Sequence, residues 1–95
     1  MTVEELHEEL KKIIASLNAS GFDTVDEAVV TKIAELCKAA DELGLKKGKQ
    51  LVQNLSDVII AIKEGKSKAE SGILRLTALD FYIQNLSSGN ATEDL

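Results

Sequence analysis

Not one proline occurs in the 95 residues of this chain. A proline inside a helix removes a backbone donor and clashes with the preceding turn, so without it helix length is set by other signals. Those signals recur regularly. Thr2-Val3-Glu4-Glu5, Thr24-Val25-Asp26-Glu27 and Ser67-Lys68-Ala69-Glu70 are S/T-x-x-E capping boxes, in which the hydroxyl accepts from the N3 amide and the glutamate reaches back to the cap amide. Gly21, Gly44, Gly65 and Gly89 each follow a periodic run, where a helix commonly ends on a left-handed residue. Starts and stops together predict helices near residues 3–18, 24–43, 46–64 and 68–87, then a disordered tail over 89–95.

Hydrophobic periodicity gives the same division. Helix 1 carries Val3, Leu6, Leu10, Ile13, Ile14 and Leu17 on one stripe, and helix 2 carries Val25, Val29, Ile33, Leu36, Cys37, Ala40 and Leu43. Helix 3 offers Leu45, Leu51, Val52, Leu55, Val58, Ile59 and Ile62, with Gly48 on the same face as a point of close approach. Helix 4 offers Ala69, Gly72, Ile73, Leu76, Leu79, Tyr82, Ile83 and Leu86. Three-four spacings suit shallow crossing angles, and connections of a few residues make neighbours antiparallel. The expected fold is all-α: one antiparallel up-down-up-down four-helix bundle over residues 1–88.

Composition narrows the function. The formal charge of −5, from 11 basic and 16 acidic residues, argues against nucleic acid, whose binders present a basic face. No apolar run approaches the ~20 residues that span a bilayer, and the first residues lack a basic-then-apolar leader, so no membrane insertion and a cytoplasmic location are expected. A single cysteine excludes an internal disulfide and fits a reducing compartment.

Catalytic constellations are missing. His7 stands on the flank of helix 1's stripe with no second histidine or cysteine within helical reach, and a metal ligand needs such company. Cys37 falls on an apolar face and reads as a small buried hydrophobe. A Cys37–His7 nucleophilic pair lacks any group to orient the imidazole. Gly44-Leu45-Lys46-Lys47-Gly48-Lys49-Gln50 has three residues between its glycines where a phosphate loop has four, and Gln50 where it has Ser or Thr. Glu4, Glu5, Glu8 and Glu9 form an acidic, solvated face that suits a helix N-terminus. Asn90-Ala91-Thr92 matches a glycosylation acceptor without a secretory leader. No catalytic, metal-binding or cofactor-binding residue is assigned.

Three surface features remain. Leu74, Ala78 and Phe81 make a second apolar stripe on helix 4, either a partner surface (a homodimer through Leu74 and Phe81 in the simplest case) or a face covered by Phe22 and the helix 1–2 loop. Asp80 falls between Leu76 and Ile83 and is expected at a stripe margin, paired or solvated. Lys38, Lys46, Lys47 and Lys49 gather around one turn and Lys63, Lys66 and Lys68 around the next. Such lysines either serve helix ends or dock an acidic protein surface.

The run Ile33-Ala34-Glu35-Leu36-Cys37-Lys38-Ala39-Ala40-Asp41-Glu42-Leu43-Gly44-Leu45, followed by Leu55, Ile62 and Gly65, resembles the histidine-phosphotransfer domains of bacterial phosphorelays over somewhat more than half the chain. That family's motif is A-H-x-L-K-G-x-x-x-x-L-G-A. Here Ala34 stands in place of the phospho-accepting histidine, Cys37 in place of its lysine and Lys38 in place of its glycine. The resemblance implies the bundle and a docking surface for a receiver domain, without the phosphotransfer chemistry. Separately, Lys49-Gln50-Leu51-Val52-Gln53-Asn54-Leu55-Ser56-Asp57-Val58-Ile59 resembles the third helix of bacteriocin immunity proteins, which implies a bundle that protects against a peptide toxin. The expected function is a non-enzymatic protein-interaction module, with Ala34, Lys38, Lys46, Lys49, Leu74 and Phe81 as candidate partner-binding residues.

Overall fold

The computed structural model describes residues 1–22 and 25–87, the last two without their side chains. Four helices follow one another: α1 (Val3–Ser20), α2 (Glu27–Glu42), α3 (Lys46–Lys63) and α4 (Ala69–Ser87). Among the described residues there is no strand. Leu86 as a core side chain, Thr24 as a cap, Gly89 as a stop and the tail over 89–95 lie outside the described residues.

The first capping box forms in full. Thr2 Oγ1 accepts from the Glu5 amide at 3.1 Å while Glu5 Oε1 accepts from the Thr2 amide at 2.8 Å. At its other end α1 stops on Gly21, whose φ of 76° with ψ of −176° is accessible in practice to glycine alone. The Gly21 amide donates to the Leu17 carbonyl at 2.8 Å, satisfying one of the last helical acceptors.

The helices of the other two boxes begin beyond the first residues of those boxes. α2 begins at Glu27, with Asp26 as its cap accepting from the Val29 amide at 3.1 Å. Glu27 is thus the first helical residue. The shift has a packing cause: Val25 is buried in the core, and its carbonyl accepts from Lys63 Nζ at 2.9 Å, which commits it to a tertiary contact. α4 likewise begins at Ala69, and the Lys68 carbonyl accepts from the Ser71 amide at 3.0 Å. Ser67 instead lines a groove with Asn54, Asp57, Val58, Ser71 and Arg75.

Packing runs around a ring. α1 meets α2, α2 meets α3, α3 meets α4 and α4 returns to α1, the α2–α3 and α3–α4 seams being the most extensive. The centre holds Leu10, Ile33, Leu36, Val52, Leu55, Ile59, Leu79 and Ile83, all essentially inaccessible to solvent. Full burial of each such side chain contributes roughly 1.5–3 kcal/mol. Two expected core residues stand elsewhere. Val3 is exposed, because it lies in the first turn of α1 ahead of Leu6, where burial begins. Ile73 is 54% exposed, because one residue beyond Gly72 a helix has turned to the margin of its buried face.

Two glycines set how closely α4 is approached. A Cβ on Gly48 of α3 would stand 2.7 Å from Tyr82 Oη, and one on Gly72 of α4 would stand 2.8–2.9 Å from three carbons of the Phe22 ring. Phe22, in the connection between α1 and α2, is only 5% exposed. It therefore fills the core side of α4 and does not cover the Leu74–Phe81 stripe.

This contact sets two glycine effects against each other. Alanine in a helix interior gains ~1 kcal/mol over glycine, whereas overpacking a filled core costs ~1–3 kcal/mol. Gly72→Ala is expected to lower stability by about 1 kcal/mol in urea titration. Combined with Phe22→Leu, it is expected to be neutral or stabilising relative to Phe22→Leu alone, since the ring it strikes is gone.

Candidate functional site

The buried faces decide what each helix has left to present. On α2, Ile33, Leu36, Cys37 and Ala40 point inward, leaving Ala34 and Lys38 exposed. The Cys37 thiol donates to Gln53 Oε1 at 3.3 Å and lies 3.7 Å from the Lys49 carbonyl, which sets this part of α2 against the first half of α3. Lys49 Nζ pairs with Asp41 Oδ1 at 3.1 Å across the same seam. Ala34, Lys38 and Lys49 consequently share one side of the molecule, with Lys46 at the first residue of α3. Asp41 neutralises part of this basic cluster, so the side is of mixed charge. The lysines of the turn also stand differently from the helix-end role expected for them. Lys46, Lys47 and Lys49 occupy the first turn of α3, which holds no acidic residue, and a helix N-terminus disfavours positive charge.

Leu74 and Phe81 are not part of that side. α4 buries Gly72, Leu76, Leu79, Tyr82 and Ile83, and Leu74, Ala78 and Phe81 at i, i+4 and i+7 lie on the opposite face, which is exposed throughout. Leu74 is 71% and Phe81 67% exposed. With Ala78 exposed between them, they form a continuous apolar surface, and the largest such patch on a monomer is often functional. The six expected partner-binding residues thus divide into two separate surfaces, because α4 packs against α3 and α1 while α2 is diagonal to it.

The remaining titratable side chains take structural places. His7 is half-buried on α1, with Nε2 2.9 Å from the Ile83 carbonyl of α4. Cys37 faces α3, so the topology points the imidazole and the thiol to different seams. Burial pushes the Cys37 thiol up, the Lys49 charge partly offsets this, and Asp41 and Asp57 add to the rise. Asp80 sits half-buried at the edge of α4's inner face, as its stripe position predicts, and accepts from Gln84 Nε2 at 3.1 Å. Among the described residues no group of three or more His, Cys, Asp or Glu side chains could hold a metal ion, and no helix is long and apolar enough to cross a membrane.

One feature of the site is not legible as a motif. Asn54, Asp57 and Val58 of α3, Ser67 of the following turn, and Ser71 and Arg75 of α4 line a surface groove of about 340 Å³. Arg75 is the chain's only arginine, and that uniqueness is the one sequence signal that could have marked it. Compared with protein-family models, with curated proteins and with solved structures, the chain matches none.

Burial of Cys37 makes a kinetic expectation. Only the thiolate reacts with iodoacetamide, and a buried, uncharged thiol must wait for the α2–α3 seam to open. Alkylation of the native protein at pH 8 is expected to be at least ~100-fold slower than in guanidinium. Equal rates in the two conditions would mean that the seam is open in solution.

Proposed function

We propose that the chain is an up-down-up-down antiparallel bundle, cytoplasmic and non-enzymatic, that works by binding another protein through the outward face of α4. Support for the antiparallel order comes from early residues of one helix set against late residues of its neighbour: Lys63 against Val25 and Glu27, Lys49 against Asp41, and His7 against Ile83. The observation that carries the function is the continuous exposure of Leu74, Ala78 and Phe81 on a helix whose other face is fully used. A stripe spaced i, i+4, i+7 is the pattern by which one helix packs along another. The occupant is therefore an amphipathic helix with an apolar stripe of similar length. Its flanks carry a base toward Glu70 and an acid toward Arg75, the charges that border the stripe on either side.

Photo-crosslinking tests this in the cells that make the protein. With p-benzoylphenylalanine replacing Ala78, a discrete adduct should form, mapping to the apolar face of a helix, and should disappear when Leu74→Asp and Phe81→Asp are added. The same probe replacing Ser16, exposed on α1, should give no such adduct. No adduct at position 78, or one indifferent to Leu74 and Phe81, would overturn the proposal.

A second reading rests on Ala34, which is exposed on α2 where a phosphotransfer domain would carry its histidine. On that reading a receiver domain docks against Ala34 and Lys38 with Lys46 and Lys49 beside them, and no phosphoryl group is accepted. Charge reversal by Lys38→Glu with Lys46→Glu is then expected to weaken receiver binding at least ~10-fold in titration calorimetry. Unchanged affinity removes the α2 surface from consideration. In the immunity-protein alternative, neither substitution pair matters unless it also abolishes protection against a co-produced peptide toxin.

A further inference from the structure

Resting on the α4 docking surface above, we propose that its partner is a second copy of this chain, with the two α4 helices packed side by side and parallel. Leu74, Ala78 and Phe81 are spaced as the d, a and d positions of a heptad seam, with Asn85 at the next a. Leucine at d and a small residue at a let two parallel helices approach, with Leu74 against Leu74 and Phe81 against Phe81 across the twofold axis.

Charge chooses the orientation. In this register Glu70 is a g residue and Arg75 the following e residue, five positions apart on the same helix. They cannot reach each other within one chain, yet in a parallel pair each g position faces the e position five residues on in its partner. Both side chains are exposed, and neither joins an ion pair among the described residues. A parallel dimer supplies both with a partner, twice over by symmetry. In an antiparallel pair each flank meets its own kind: Arg75 faces a flank of Arg75 and Tyr82, and Glu70 faces a flank of Thr77 and Gln84, so no opposite charges meet. The seam is about two heptads long and buries well under the ~1,200–2,000 Å² of a stable interface. The association is therefore weak and reversible, in the micromolar to millimolar range, suited to a chain that exchanges partners or is brought together by local concentration.

Sedimentation equilibrium from about 10 µM to about 1 mM tests this at moderate ionic strength. The expected result is a monomer–dimer equilibrium that Leu74→Asp abolishes. Glu70→Arg and Arg75→Glu should each weaken it about three- to ten-fold, and the doubly swapped chain should return to within about two-fold of the original. Circular dichroism controls for folding, since all three positions are exposed. Dimerisation that depends on Leu74 but ignores the charge swaps would overturn the parallel pairing while leaving α4 as a docking face. A monomer throughout the range, with a heterologous adduct at position 78 in cells, would overturn the second copy as partner and leave the docking surface standing. A monomer with no adduct would remove both.

Discussion

Closure of the ring of helices depends on how α4 is pinned on its inner face. Near its start, Gly72 receives the edge of the Phe22 ring. Near its end, Tyr82 lies over Gly48 of α3, and the Ile83 carbonyl meets His7 of α1. Missing Cβ atoms at two glycines permit the first two contacts, and they hold the buried line Leu76, Leu79 and Ile83 toward the centre. Once that face is committed, a helix has no freedom to turn Leu74 and Phe81 inward as well. The apolar outer stripe is thus a consequence of the inner packing. Burying it intramolecularly would require either a further layer or the loss of the existing one.

Electrostatics plays a secondary part in the fold. The cross-helix ion pairs Lys49–Asp41 and Lys63–Glu27 each have a well-exposed partner and Lys32–Glu9 is about one-third accessible on both sides, and pairs open to solvent contribute ~0–1 kcal/mol. Their value lies in register. Lys63 also donates to the Val25 carbonyl, which ties the residue ahead of the Asp26 cap to α3. The lysines at the start of α3 run against the helix dipole, and α3 has no side-chain cap at Leu45. That helix owes its start to burial of Gly48, against Tyr82 of α4, and of Val52, as expected where tertiary packing outweighs local preference.

Much of the fold was legible because helix periodicity and glycine stops are local properties. The extents of α1 and α3 agree with the spacing of their apolar residues to within two residues, and the inward places of Cys37, Gly48 and Gly72 follow from the stripes they share. The boxes beginning at Thr24 and Ser67 lie ahead of the observed first helical residues, Glu27 and Ala69, for a definable reason: the same four-residue pattern is satisfied equally by chain that tertiary contacts draw elsewhere. Val25 went to the core and Ser67 to a groove. Ile73 misled because a three-four stripe has two edges, and only the neighbouring helix decides which edge is covered. Of the candidate surface residues, Leu74 and Phe81 were identifiable as surplus apolar positions. Their separation from Ala34, Lys38, Lys46 and Lys49 was not, since it depends on which helices are diagonal.

By itself the sequence determined that four helices form, roughly where each begins and ends, and which residues each could bury. Hydrogen bonding within a helix and the 3.6-residue repeat are set by neighbours along the chain, so composition and spacing suffice for them. Only the tertiary structure decided that Phe22 fills the niche at Gly72, that Asp41 tempers the basic side of α2 and α3, and that the Leu74–Phe81 stripe is left uncovered. Those outcomes depend on which helix faces bury one another, a competition among residues distant in sequence that no local pattern records.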